Sequence, residues 1–115
     1  MSKKLKKYYV SELAELKNSR CFGYEVAINK SLVQCFLIYH NNNVYSYFNS
    51  CPHTGVNLDW VPHQFMDKNY KLIQCATHGA LFNTEDGYCM SGPCLGDHLQ
   101  KVENVIIDGN IYLIL

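Results

Sequence analysis

The feature that most constrains this chain is a pair of short segments that each contain one cysteine and one histidine. The first, "CPHTG", begins at Cys51 and places His53 two positions later, whereas the second, "CATHG", begins at Cys75 and places His78 three positions later. Cysteine and histidine are ligands for zinc, iron and copper. If all four residues bind one metal centre, the fold has to bring both segments to the same end of the molecule.

Length and composition indicate one compact domain. The chain has 115 residues, of which 48% are hydrophobic and 17% charged. No apolar run approaches the roughly 20 residues that a membrane-spanning helix needs. We therefore predict a single domain over residues 1–115 that has no membrane partner and is a monomer or weak oligomer.

Basic residues cluster at the start of the chain, and the remainder is weakly acidic. From Tyr8 onward six basic side chains stand against ten acidic ones, a net charge of −4. The early lysines are followed by "VSELAELKNS", whose two glutamates do not fit an export signal, so we expect a cytoplasmic protein. The acidic body argues against nucleic acid as a partner and suits docking to a basic protein surface.

Alternating patterns and turn residues predict an all-β fold, a small antiparallel β-sandwich or open barrel. In "LVQCFLIYH" the apolar run is continuous, which predicts a strand buried on both faces. Ser11 is the expected N-cap of a short helix or turn in "SELAEL". Hairpins are expected about Asp86-Gly87 and Asp108-Gly109. The predicted strands are "KKYYV", "CFGYEVAIN", "LVQCFLIYH", "VYSYFN" and "KLIQC", followed by the hairpins "ALFNTEDGYCM" and "VENVIIDGNIYLIL".

Two cysteines and two histidines first suggest zinc, which binds such a set in tetrahedral sites. Zinc-finger spacing, however, typically places both cysteines in one turn and both histidines on one helix, whereas each loop here has one of each. The mixed arrangement suits a two-iron cluster better, because the cysteines can converge on one iron and the histidines on the other. A structural zinc domain is the alternative.

The order C-x-H, a gap of 21 residues, and C-x-x-H followed by Gly79 resembles the Rieske family of iron–sulfur proteins. Both "CPHTG" and "CATHG" match the ligand loops of that family. The resemblance implies a cluster-binding subdomain of about residues 49–97, in which "SGPC" is the proline-containing loop that covers the cluster. It also implies one [2Fe-2S] cluster per chain, with the ligands Cys51, His53, Cys75 and His78.

The resemblance further indicates a low reduction potential for a Rieske centre. High-potential members carry an extra cysteine in each ligand loop, and the corresponding residues here are Val56 and Thr77. Those members also have a serine and a tyrosine whose hydroxyls donate to sulfur, where this chain has Ala80 and Phe82. Each missing donor removes a group that would stabilise the reduced state.

Among Rieske proteins the chain most resembles stand-alone ferredoxins, which carry one electron from a reductase to an oxygenase. An oxygen-activating iron would need two further histidines and a carboxylate, and His40, His63 and His98 lack a suitable spacing. The sequence also lacks the G-x-G-x-x-G motif that would indicate a nucleotide-binding domain. A different role in the same family is that of the small Rieske-like subunit of assimilatory nitrite reductases.

Four cysteines remain outside the ligand set. Cys21 and Cys35 fall in strand patterns and are expected in the core. Cys89 and Cys94 flank "MSGP", and we expect small buried or partly exposed thiols there. The alternative is that one of these two packs against the cluster or that they form a redox-sensitive pair.

Overall fold

The computed structural model describes residues 6–28, 30–50, 72–75, 79–92 and 95–115. These ranges contain one short helix, α1 (Leu13–Ser19), and no helix among them is long and apolar enough to cross a membrane. The strands in the same ranges are β1 (Lys7–Glu12), β2 (Cys21–Ile28), β3 (Ser31–His40), β4 (Asn43–Phe48), β5 (Leu72–Gln74), β6 (Leu81–Asn83), β7 (Cys89–Ser91), β8 (Glu103–Ile107) and β9 (Asn110–Ile114).

The strands form three antiparallel sheets of three strands each within the described ranges. The first sheet has the order β1-β9-β8, the second β2-β3-β4 and the third β5-β6-β7. No sheet closes into a barrel within these ranges, so the prediction of a small antiparallel all-β fold is confirmed in its open form. Cys75 directly follows β5 of the third sheet, which is therefore the part of the structure that positions this predicted ligand.

Strand β3 is buried on both faces in its second half, as its continuous apolar run predicts. Cys35 and Leu37 belong to one core, which also contains Leu16 of α1 and residues of β9. Phe36 and Ile38 belong to a second core, which includes residues of the third sheet. Because successive side chains of a strand point to opposite faces, β3 separates the two cores and contributes to both.

Both hairpins lie where the sequence predicts them. β6 and β7 pair through Phe82 and Cys89, and the connecting turn contains Asp86 and Gly87. The carboxylate of Asp86 accepts a hydrogen bond from the backbone N–H of Tyr88 at 2.9 Å. β8 and β9 pair from Glu103–Ile114 to Ile107–Asn110, around the Asp108-Gly109 turn. The expected core positions of Cys21 and Cys35 are also confirmed, since both side chains are buried.

The predicted helix cap at Ser11 is wrong. Ser11 is a buried residue of β1, where it pairs with Ile111, and its hydroxyl donates to the carbonyl of Glu12 at 3.1 Å. Pairing with β9 continues to Glu12, which precedes the helix and makes no side-chain capping bond. The pairing of β1 with β9 therefore overrides the local tendency of serine to cap a helix.

The thiol of Cys35 is fully buried in the core that contains Leu16 and Leu37. Burial raises the pKa of this thiol from 9.0 to about 11. The raised pKa keeps the group neutral at physiological pH and disfavours the thiolate, which is the reactive form. Cys35 is therefore a small core side chain and not a reactive one.

Tyr47 of β4 connects the second sheet to the third. Its side chain is fully buried, its ring contacts Phe36 with centroids 5.7 Å apart, and its hydroxyl donates to the carbonyl of Thr84 in the β6–β7 turn. Burial is the main cause that raises the pKa of the Tyr47 phenol, followed by the charge of Asp86 in the same turn. One side chain thus supplies both apolar packing and a polar anchor for the third sheet.

We predict that Tyr47→Phe lowers the free energy of unfolding by about 1–3 kcal/mol, because the Thr84 carbonyl would be left buried without this donor. Tyr39→Phe is the matched control, since its hydroxyl makes an exposed bond of 3.3 Å to Asn42. The control should change the free energy by no more than about 0.5 kcal/mol. Urea denaturation of both variants measures the difference, and equal losses would contradict the anchoring role.

Candidate metal centre

One of the four predicted ligands lies in the part of the chain that the structure describes. Cys75 directly follows β5, and its side chain is fully buried. Cys51, His53 and His78 lie outside the described residues, so their convergence with Cys75 stays a prediction. The same holds for several positions of the sequence analysis, namely Val56, His63, Thr77, Pro93 and Cys94.

Cys75 is fixed by the pairing of β5 with β6. Ile73 pairs with Phe82 and Gln74 with Leu81, so the next residue in register with Cys75 is Ala80. The N–H of Cys75 donates to the Ala80 carbonyl at 2.9 Å. The strand pairing therefore continues to the ligand position itself.

The loop after Cys75 is closed by a second backbone hydrogen bond. The N–H of Gly79 donates to the Cys75 carbonyl at 2.8 Å, and Gly79 has a φ of +66°. Residues other than glycine rarely adopt this left-handed backbone conformation, which explains why a glycine directly follows His78 in the motif. The backbone on either side of the loop is thus held by hydrogen bonds within the chain.

The surroundings of Cys75 are apolar. Ala80, Phe82 and Cys89 are fully buried members of the same core. The side chains at positions 80 and 82 carry no hydroxyl, which is the property on which the prediction of a low potential depends. These side chains exclude water but donate no hydrogen bond to a sulfur atom.

Gly92, directly after β7, lies against Ala80, which follows the second ligand loop. A Cβ atom added at Gly92 would lie 2.8 Å from the Cα of Ala80 and 3.0 Å from its Cβ. Gly92 also has a φ of +105°. Only glycine fits this close approach. That the whole "SGPC" segment covers the cluster stays a prediction, because Pro93 and Cys94 lie outside the described residues.

Cys89 anchors the start of that segment. Its thiol is fully buried and donates to the carbonyl of Ser91 at 3.4 Å. The backbone N–H of Gly96 returns to the Cys89 carbonyl at 3.3 Å, which closes the loop after β7. The prediction of a small buried thiol is confirmed for Cys89, whereas pairing with Cys94 stays untested.

Two of the remaining histidines are described, and neither lies beside Cys75 in the strand pairings. His40 is the half-buried last residue of β3 and pairs with Asn43. His98 is exposed, forms an antiparallel bridge with Tyr88 and contacts its ring with centroids 5.1 Å apart. His40 thus lies at the end of a strand, and His98 packs against an aromatic ring.

Sequence reasoning did not identify Tyr47 or Gly92 as residues that position the site. Tyr47 holds the turn that follows β6, and Gly92 lets the next loop approach Ala80. The sequence places Gly92 in the predicted "SGPC" loop and before a proline, which indicates a turn, but it gives no signal for the contact with Ala80. Tyr47 has no local signal, because its partner Thr84 is distant in the chain.

We predict that Gly92→Ala destabilises the protein more than Gly96→Ala does, by at least about 1 kcal/mol. Both glycines have a similar positive φ, +105° and +95°, so both alanines carry backbone strain. Of the two, only the methyl group at position 92 would meet other atoms of the described residues, because none of these lies within 4 Å of a Cβ at Gly96. Urea denaturation of the two variants measures the difference, and equal stabilities would refute the steric role of Gly92.

Comparison with solved structures shows the same fold in proteins of low sequence identity. The ferredoxin of carbazole 1,9a-dioxygenase from Nocardioides aromaticivorans IC177 is 19% identical, with a TM-score of 0.69 over 93% of this chain and 95% of that one. The Sphingomonas yanoikuyae B1 ferredoxin is 20% identical, with a TM-score of 0.67 over 96% and 99%. A chain from the complex of reduced oxygenase and oxidized ferredoxin in carbazole 1,9a-dioxygenase is 19% identical, with a TM-score of 0.68 over 91% and 98%.

No curated protein sequence matches the chain. The sequence profile described as "Rieske [2Fe-2S] domain", however, matches residues 6–105, a range that includes both cysteine-histidine loops and seven of the nine described strands in full. The all-β architecture and the backbone that holds Cys75 agree with this match. The chain therefore belongs to the Rieske [2Fe-2S] domain family, whose cofactor is a [2Fe-2S] cluster.

Proposed function

We propose that this protein is a one-electron carrier that receives electrons from a reductase and passes them to an oxygenase. Family membership over residues 6–105 is the observation that carries the proposal. The three solved structures with the same fold add support, because their names include ferredoxins and two belong to carbazole 1,9a-dioxygenase. We further propose that it works in the cytoplasm as a single domain, with a cluster-binding subdomain of about residues 49–97.

The proposed ligands are Cys51 and Cys75 on one iron and His53 and His78 on the other. The donor set fits, because two thiolates and two imidazoles are what a Rieske cluster requires. The described residues fit as well, since Cys75 is buried in an apolar core and its backbone N–H and carbonyl both form hydrogen bonds. When bound, the cluster supplies reversible one-electron chemistry at a potential between roughly −150 and +300 mV.

The residues of this chain have three tasks around that centre. Gly79 closes the second ligand loop, and the Gly92 segment packs on Ala80 and limits access of water from that side. The side chains of Ala80 and Phe82 leave the sulfur atoms without hydroxyl donors. Each metal-bound imidazole would keep one nitrogen free, which is a position at which His53 and His78 can hold a proton.

A carrier fits the chain better than a catalyst. The domain has the size of one small β fold, and the sequence contains no nucleotide-binding glycine motif and no second set of two spaced histidines with a carboxylate. Substrate oxidation would therefore take place on a partner protein. The acidic composition after the first lysines suits a partner with a basic surface.

Spectroscopy of the reduced protein tests the cofactor and its ligands together. We expect a visible absorption spectrum and an electron paramagnetic resonance signal typical of a Rieske centre, with two irons per chain. His78→Cys should abolish that signal or shift it to one typical of four thiolates, while His98→Cys is the control and should leave it unchanged. A colourless protein with one zinc per chain, or an unchanged signal in His78→Cys, would contradict the proposal.

A redox titration tests the predicted low potential. We expect a midpoint below about +100 mV, within the range of Rieske centres. Ala80→Ser should raise the midpoint by about 60 mV, equivalent to about 1.4 kcal/mol for one electron, because a new hydroxyl donor would stabilise the reduced state. Ala27→Ser on β2 is the control and should leave the midpoint unchanged. A wild-type midpoint above about +100 mV would refute this prediction.

A further inference from the structure

We infer that the exposed side of β7 is the docking surface for a redox partner whose contact surface is basic around an apolar centre. This inference rests on the proposed function and adds to it the location and chemistry of the contact. The surface consists of a strip formed by the apolar side chains of Tyr88, Met90 and Leu95 and by His98, whose ring contacts Tyr88. We call it the apolar strip. An acidic rim formed by Glu85, Asp86 and Asp97 accompanies it.

The strip is held as one face by strand geometry. Cys89 is fully buried, so its neighbours Tyr88 and Met90 point to the opposite side of the strand. Bonds from the N–H of Cys89 to the carbonyl of Asp97 at 2.8 Å, and from the N–H of Leu99 to the carbonyl of Gly87 at 2.9 Å, hold the chain alongside. They bring the ring of His98 against Tyr88.

Two apolar side chains of the strip are more than half exposed to solvent. Met90 is 51% exposed and Leu95 66% exposed. Aromatic residues and methionine are enriched at protein interfaces, and methionine adapts its shape to a partner. Large apolar side chains that are exposed together on one face are candidate contacts for another protein.

The charges around the strip have one sign. Residues 72–100 contain three carboxylates and no lysine or arginine. The described residues outside this stretch are nearly balanced, with six basic and five acidic side chains: Lys6, Lys7, Lys17, Arg20, Lys30 and Lys101, against Glu12, Glu15, Glu25, Glu103 and Asp108. The third sheet is thus the acidic part of the described structure, which favours a basic partner and disfavours nucleic acid or an anionic membrane.

The strip also ends beside the proposed metal centre. Gly92 directly follows β7 and approaches Ala80, which is two residues after the proposed ligand His78. A partner that rests on Met90 and Leu95 is therefore next to the second ligand loop. Exposure, charge and position select the same face.

The test uses the cluster-loaded protein, reduced with dithionite and freed of excess reductant, in stopped-flow reactions with two acceptors. Each reaction moves one electron, either to the ferric haem of cytochrome c, a basic protein, or to the small anion ferricyanide. The charge variant is Glu85→Lys with Asp97→Lys, and its control is Glu15→Lys with Glu25→Lys. The apolar variant is Leu95→Ser, and its control is Leu32→Ser, since these leucines are 66% and 69% exposed.

We expect the charge variant to lower the second-order rate constant with cytochrome c about tenfold or more at low ionic strength and to raise that with ferricyanide. At about 0.5 M salt the rate constants of the charge variant and the wild type should be nearly equal, because salt screens the charges strongly at that concentration. The charge control should change either rate less than about threefold. Leu95→Ser should slow the reaction with cytochrome c severalfold at both salt concentrations, whereas Leu32→Ser should not.

Three results would overturn the inference. If the charge variant and its control slow the reaction with cytochrome c equally, the net charge of the protein alone attracts cytochrome c, and not the acidic rim. Slowing with both acceptors would show damage to the metal centre, and equal rates for Leu95→Ser and Leu32→Ser would show that the strip is not contacted. A wild-type protein that lacks the cluster signal or transfers no electron would instead refute the proposed function, and the docking surface with it.

Discussion

The structure depends on the burial of β3 on both of its faces. Cys35 and Leu37 pack with the first sheet and α1, while Phe36 and Ile38 pack toward the third sheet. A single strand whose side chains alternate in direction can join two cores only where successive positions are apolar, as they are at residues 35–38. The two sides of the domain are therefore coupled, since a change in β3 alters the packing of both.

Polar contacts then fix how the sheets meet. Tyr47 donates to Thr84 from within the second core, and the hydroxyl of Ser46 donates to the carbonyl of Val102. The amide of Asn104 donates to Ser46 at 2.9 Å and to the Val44 carbonyl at 3.2 Å. The bonds of Asn104 connect β8 to β4, which belong to different sheets, and those to Thr84 and Val102 join β4 to residues next to β6 and β8. Side chains thus connect the sheets to one another, as backbone pairing connects strands inside a sheet. Apolar burial brings the sheets together, and directional bonds select their register.

The sequence was sufficient for the parts of the fold that local chemistry determines. The apolar run of β3 and the Asp108-Gly109 turn each contain their own signal, and the structure confirms both. Ser11 was assigned wrongly because its hydroxyl has a local preference that the distant strand β9 overrides. Tyr47 and Gly92 could not be assigned, because their roles depend on neighbours that only the folded chain brings close. The family motif identified the candidate ligands, but Cys75 alone among them has described surroundings.

The hydrogen bonds around Cys75 have a consequence for how changes in the third sheet reach the proposed site. Its N–H and its carbonyl are both bonded to the far side of the loop, to Ala80 and Gly79. The backbone at this position therefore continues the pairing of β5 with β6 and cannot turn without breaking those bonds. A substitution that distorts this pairing also displaces the backbone of a proposed ligand.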